Sequence, residues 1–198
     1  MSRLILASGS EIRASLLRNA GVTFDVSVAR VDEQAIKQSL VSEGANARDL
    51  ADALAEVKAR KISQKNPTSL VLGCDQVLDH SGTFLSKATS PEEAVCQLSE
   101  LSGSQHNLLS AAVLYDDGKP LWRFVGKVRL TMRQLSEDYI RAYVDRNWDE
   151  IQYCVGCYQL EHEGIRLFSR VEGDYFHVLG LPLIEVLNHL TLIGEIEG

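Results

Sequence analysis

The sequence predicts an α/β fold, with a mixed central sheet flanked by helices and creased by a deep cleft. Three observations carry this expectation. Leu4-Ile5-Leu6-Ala7 is a short apolar run with the character of a buried strand; it breaks at Ser8-Gly9-Ser10 and passes directly into a helix. Leu70 to Cys74 is a second buried run, in the middle of the chain. Elsewhere helices alternate with hairpins, which favours a mixed sheet over a purely parallel one. At 198 residues the chain has the length of one domain, residues 1–198, with room for two lobes around a cleft.

The first strand and helix form the most informative stretch. Glu11 to Leu17 reads as helix, with Ser10 placed as N-cap. The first amides of a helix lack intrahelical partners and carry the positive end of its dipole. Gly9 lets a backbone approach a ligand closely. Ser8, Ser10, free amides and Arg13 therefore make a candidate phosphate cradle. The plainer alternative is an ordinary strand–turn–helix entry with a solvated Arg13.

The remaining elements follow in order. Gly21 reads as a C-cap. Val22, Phe24, Val26 and Val28 alternate with polar residues, so a half-buried strand is expected, running into Val31-Asp32-Glu33. Those two carboxylates suit a solvated turn and are also competent to hold a cation through oxygen. Arg48 to Ile62 reads as helix, with Leu50, Leu54, Val57 and Lys61 along one face. Lys58 falls beside that stripe, where a lysine is expected to snorkel into water. The run from Leu70 is expected to deliver Asp75-Gln76 at its carboxyl end, where ligands of α/β sheets collect. Ser81-Gly82 turns into Phe84-Leu85, and Lys87 follows. An acid and a lysine thus flank one hairpin, an arrangement that a surface ion pair would also explain.

Ser90-Pro91-Glu92-Glu93 is a helix start with a capping box, and its helix runs to Leu101 before Gly103. Asn107 to Tyr115 and Leu121 to Leu130 form a hairpin around Asp116-Asp117-Gly118. Ser136 opens a helix to about Arg146, Ile165 to Phe168 reads as a short strand, and Pro182 opens a last amphipathic helix to about Leu192.

Composition narrows the function classes. A net charge of −7 lacks the basic footprint of a nucleic-acid surface. An acidic chain meets a phosphate-rich ligand through local cations or a bound metal. No apolar run reaches bilayer-spanning length, and the apolar stretch after Arg3 is too short for a secretory signal. A cytoplasmic location without membrane partners is expected. Cys154-Val155-Gly156-Cys157 is a lone CxxC, with no second close pair from Cys74 and Cys96, so the cysteines read as small buried side chains, not as a zinc site.

Taken together, the motifs resemble the Maf family of nucleoside triphosphate pyrophosphatases over nearly the whole chain. LILASGSEIR is similar to the family opening A-S-x-S-x-x-R, Val31-Asp32-Glu33 to V-D-E, and LAEVKA with Lys58 to L-A-x-x-K-A. LGCDQV resembles the element around the family's catalytic Asp, LSGSQH the L-S-G-x-x-H stretch, and VEGDYFHVLGLPL the C-terminal G-D-Y-x-x-V-x-G-L-P. Three departures stand out. Only Arg13 is basic in the first loop, with Ile12 where many members carry a second cation. The family's G-K-P becomes Ser86-Lys87-Ala88. D-K-A-G-A-Y-G-I-Q stands here as YCVGCYQLE, residues 153–161. Asp75-Gln76, Cys154 and Glu161 resemble the branch associated with 7-methyl-GTP.

The resemblance implies a Maf/ITPase-like fold, an active-site cleft, and hydrolysis of a nucleoside triphosphate to the monophosphate and pyrophosphate. It implies Asp75 as general base. Ser8, Ser10, Arg13, Lys58 and Lys87 would bind phosphate. Glu33 and Asp75 would hold Mg²⁺ or Mn²⁺, while Ile12, Gln76 and Glu161 would set substrate choice. It leaves room for a homodimer. Three alternatives stay open: a phosphatase releasing orthophosphate, a dTTP/UTP-preferring member of the same family, and a non-catalytic nucleotide-binding regulator of cell division.

Overall fold

The computed structural model describes residues 3–197. One seven-stranded mixed sheet runs through it. In chain order the strands are β1 (Arg3–Leu6), β2 (Asp25–Val26), β3 (Ser69–His80), β4 (Thr83–Leu85), β5 (Gln105–Asp116), β6 (Lys119–Met132) and β7 (Phe168–Glu172). The order across the sheet is β2-β1-β3-β5-β6-β7, with β4 paired to the far end of β3. β1 lies parallel to β2 and β3, and the remaining pairings are antiparallel. The expected mixed sheet is therefore present.

β3 is the organising strand. Its first part pairs with β1 through Leu6↔Leu72, and its last part pairs with β4 from Leu78↔Leu85 onward. Between them, residues 73–77 have a strand neighbour only on the β5 side. Asp75 thus sits in mid-strand, not at a carboxyl end as expected. β3 continues because β5 templates it as far as Asp79.

The helices are α1 (Glu11–Asn19), α2 (Glu33–Ser42), α3 (Ala47–Ser63), α4 (Pro91–Leu101), α5 (Glu137–Ile151), α6 (Tyr175–Val178) and α7 (Leu183–Leu192). Leu50, Ala51, Leu54, Ala55, Ala59 and Ile62 of α3 pack on Val71 and Val77 of β3, with Ile36 and Leu40 of α2 on the outside. The opposite face of β3, with Leu70, Leu72 and Cys74, is covered by α1 and α7. Farther along that face, Leu78, Leu108 and Val128 meet Leu98 of α4 and Tyr143 of α5. No helix of the described residues is long and apolar enough to cross a membrane.

Several local expectations change. The alternation from Val22 to Val28 yields only the two-residue β2: β1 ends at Leu6, opposite Val26, so the pairing goes no farther, and Val26 and Val28 are exposed. Asp32 and Glu33 do not form a turn: Asp32 caps α2 by accepting from the Ala35 amide at 3.0 Å, and Glu33 begins the helix. Lys61 and Val57 lie at the margin of the α3 stripe, and Lys61 donates to the Arg30 carbonyl. Glu93 reaches back to the Thr89 amide at 2.7 Å, one residue before the Ser90 cap. Ile165 lies in a 3₁₀ turn, Glu163–Leu167, and strand pairing begins only at Phe168. Cys74 and Cys157 are buried, whereas Cys96 is exposed and Cys154 half-buried.

Gly73 marks the closest approach of α3 to the sheet. A Cβ there would overlap the Ala55 carbonyl oxygen and stand 2.7 Å from the Ala59 amide. Backbone atoms cannot swing aside as a flexible side chain can. Gly73→Ala is expected to destabilise the protein by about 1–3 kcal/mol, the range for overpacked cores. Urea unfolding checks this; an unchanged midpoint would contradict the packing described.

Candidate active site

A cleft of about 990 Å³ opens where β3 lacks a strand neighbour, and Asp75, Gln76 and Val77 form its floor. One wall is the β1–α1 turn with Ser8, Ser10, Ile12 and Arg13, continued by Glu33 of α2 and Lys58 of α3. Lys87, in the loop after β4, and Glu161, in the loop after α5, lie opposite. Every residue to which the resemblance gives a site role therefore lines this cleft.

Its centre is a buried ion pair. Lys58 does not snorkel; it is 8 % exposed, inside the α3 stripe, because a carboxylate waits for it on β3. Its Nζ donates to Asp75 Oδ1 at 2.5 Å and lies 2.8 Å from Glu33 Oε1. Burial alone would lower the Lys58 ammonium, but the charges of Asp75 and Glu33 outweigh it and raise its pKa above the ordinary lysine value. Burial holds Asp75 above the usual carboxylate range, with Lys58 and Arg13 drawing it back. The outcome is a carboxylate of raised basicity, fixed by a cation, at an open strand edge.

Arg13 is also fixed. Its Nε donates to the Gly180 carbonyl at 2.7 Å, and Nη1 donates to Ser8 Oγ and to the Cys74 carbonyl, each at 3.2 Å. The Cys74 carbonyl lies on the interrupted part of β3, so Arg13 satisfies it where β1 does not. Gly180 has φ +89°, and a Cβ on it would stand 3.1 Å from Arg13 Nη2. Ser10 occupies the N-cap position, but its hydroxyl makes no cap bond; its amide donates to Ser8 Oγ at 3.3 Å. The Ser10 hydroxyl and the first amides of α1 therefore remain for a ligand.

Gln76 points to the other side of β3. Its Nε2 has three acceptors at 3.0 Å: Ser110 Oγ and the carbonyls of His177 and Val178. Ser110 Oγ itself donates to the His177 carbonyl at 2.6 Å. The amide donors are thus committed, and the Gln76 carbonyl oxygen is left as an acceptor. Near the opposite loop, burial and then the Glu161 charge push the Cys154 thiol up to about 11. The same two causes raise Tyr175.

Sequence reasoning missed several contributors. Lys37 of α2 lines the cleft, and it went unseen because α2 itself did. The readable signal was Asp32 as cap followed by Ile36 and Leu40 four residues apart. Gln97, buried in α4, donates to the Ser86 carbonyl at 3.0 Å and steadies the loop bearing Lys87. The backbone of residues 177–180 holds both Gln76 and Arg13.

The profile of the Maf-like protein family matches residues 3–193. The chain belongs to the Maf-like family. Among curated relatives, this Maf-like chain is 60 % identical over 194 residues to a nucleoside triphosphate pyrophosphatase of Ruegeria pomeroyi, covering 98 % of each chain. It is 59 % identical to the protein of the same description in Ruegeria sp. (strain TM1040), covering 99 % of this chain and 98 % of that one. It is also 44 % identical to a 7-methyl-GTP pyrophosphatase of Brucella abortus, covering 99 % of this chain and 98 % of that one.

The geometry of this Maf-like cleft sets a pH test. Lys58→Met leaves Asp75 buried without its nearest cation, a loss worth about 3–5 kcal/mol for a broken buried pair. A carboxyl whose folded pKa stands above its unfolded value binds protons preferentially in the folded state, so its contribution falls as pH rises through that interval. Removing Lys58 raises that folded pKa further. The variant's deficit in urea unfolding should therefore be large at pH 8 and smaller at pH 5. A deficit independent of pH would place the cost in packing instead.

Proposed function

We propose that this chain hydrolyses the α–β anhydride of a nucleoside triphosphate, releasing the monophosphate and pyrophosphate. One observation carries the reading: the buried Asp75–Lys58 pair, with Glu33, lies on the floor of a cleft whose walls present Arg13, Lys87 and a helix N-terminus. The descriptions of the Ruegeria and Brucella relatives support it.

Asp75, more basic than an exposed carboxylate, accepts a proton from water and aims the oxygen at the α-phosphorus. Lys58 keeps that carboxylate oriented and adds its charge to the phosphate side of the cleft. Negative charge growing on the phosphoryl oxygens is met by Arg13, Lys87, the Ser8 and Ser10 hydroxyls and the amides of α1. Among the described residues, no group of three or more His, Cys, Asp or Glu side chains could hold a metal ion unaided. Mg²⁺ typically takes one or two carboxylates together with substrate phosphates, and Asp75 and Glu33 fit that requirement. When bound, Mg²⁺ or Mn²⁺ would neutralise and polarise the phosphoryl group. The reading goes with a cytoplasmic location.

At the base end, Gln76 offers an acceptor and Glu161 a carboxylate. Guanine presents N1–H and N2 amino donors, which both residues can receive. The positive charge of a 7-methylated ring favours a carboxylate partner over an amide. Ile12 places an apolar side chain where a second cation would repel that ring. These features support 7-methyl-GTP as substrate.

Two outcomes are expected. Asp75→Asn should stay folded, since Glu33 still neutralises Lys58, and should lose about 10²–10⁴ in kcat, the usual worth of a general base. Pyrophosphate release measures this; turnover within a few-fold of wild type would assign the base elsewhere, and orthophosphate as sole product would identify a phosphatase. For specificity, kcat/KM should be higher for 7-methyl-GTP than for GTP, dTTP or UTP, and Glu161→Gln should narrow that preference. Equal or better use of dTTP or UTP by the wild type would remove the 7-methyl-GTP reading and leave the hydrolysis intact.

A further inference from the structure

The phosphate-binding cations inferred from the sequence are already engaged or exposed. Lys58 lies between two carboxylates. Arg13 gives three of its N–H bonds to protein oxygens, and Lys87 is exposed. A fourth cation belongs to none of the sequence motifs. Lys37 projects from α2 into the same cleft. Its Nζ donates to Ser86 Oγ at 3.0 Å and to the Leu85 carbonyl at 3.4 Å, both on the opposite wall. Among the described residues it forms no ion pair, although the charges of Asp75 and Glu33 reach it. Burial pushes its pKa below the ordinary lysine value. Partly desolvated ammonium groups are normally paired, because neutral oxygens compensate lost hydration incompletely. Here the missing counter-charge faces a cavity large enough for a nucleotide.

We propose that Lys37 is a further phosphate-binding residue of this cleft. It exchanges Ser86 Oγ and the Leu85 carbonyl for non-bridging oxygens of a bound triphosphate. The exchange involves no covalent step: hydrogen bonds from the ammonium to neutral acceptors are replaced by bonds in which donor and acceptor both carry charge. The inference rests on the triphosphate reading of the cleft and adds to it a cation from α2. Because Lys37 bridges the two walls, binding there also changes what holds α2 to the loop carrying Lys87.

The test uses inorganic tripolyphosphate, which has the charge and no base, titrated calorimetrically into the full chain. Lys37→Gln should weaken its binding about tenfold, equivalent to about 1.4 kcal/mol, while Lys37→Arg retains most of it. Ser86→Ala removes the neutral acceptor and keeps the charge, so it should bind tripolyphosphate as the wild type does. Unchanged affinity in Lys37→Gln, or no binding by the wild type, overturns the proposal. Ser86→Ala matching Lys37→Gln also overturns it, because Lys37 would then act only as a strap. Pyrophosphate release by the wild type is measured in parallel. Turnover that persists while Lys37→Gln binds normally sinks this inference alone, whereas absence of turnover with every nucleotide tried sinks the wider reading of function.

Discussion

Lys58 ties three elements to one point: α3, which carries it, β3 through Asp75, and α2 through Glu33. The ammonium can reach Asp75 because α3 lies against Gly73 with no side chain between them. Removing one member of such a group strands charge in a poorly solvated place, which costs more than never having buried it. Helix-to-sheet packing, the position of α2 and the basicity of Asp75 are therefore one problem with one solution. The apolar face of α3 holds the helix down, and the ion pair sets how it lies along the strand.

The other side of β3 is governed by a short piece of backbone. The carbonyls of His177 and Val178 fix the Gln76 amide, and the Gly180 carbonyl fixes the Arg13 guanidinium. Asp174 caps this segment through the amides of Phe176 and His177, and the buried His177 ring, 3.1 Å from Glu185, anchors it to α7. Gln76 and Arg13 thus share a support. Both side chains are held by backbone carbonyls of the protein itself, which fixes their orientation from within the fold.

Much of this was legible in the sequence. The strand–turn–helix opening, the capped start of α4, the β5–β6 hairpin and the final helix are local patterns whose signals lie within a dozen residues. Ser8, Ser10 and Lys87 sit at breaks between such patterns, whereas the roles expected of Lys58, Asp75, Gln76 and Glu161 came from the resemblance to the family. What escaped was non-local. The burial of Lys58 depends on a carboxylate 17 residues away in the chain, and no periodicity reports that. β2 pairs with β1 only through Asp25 and Val26, and β1 ends opposite Val26, although the alternation from Val22 to Val28 is real. α2 buries only the sides of Ile36 and Leu40, a stripe too thin to stand out against its polar neighbours, and Lys37 was lost with it.

The interrupted edge of β3 also acts as a ruler. Its pairing with β1 stops at Leu72 and its pairing with β4 starts at Leu78, leaving the five residues from Gly73 to Val77 open on that side. At a rise of about 3.3 Å per residue the gap is about 16 Å long. Successive side chains along it point to opposite faces, so Asp75 meets α3 while Gln76 meets α6. The distance between the group that would cut and the group that would read the base is set by strand register, not by a loop. Slipping β3 by one residue would exchange the two faces and replace the whole site at once. Substrate choice can therefore drift through the loops above the cleft, while its span and polarity stay locked in the ladder that β5 holds.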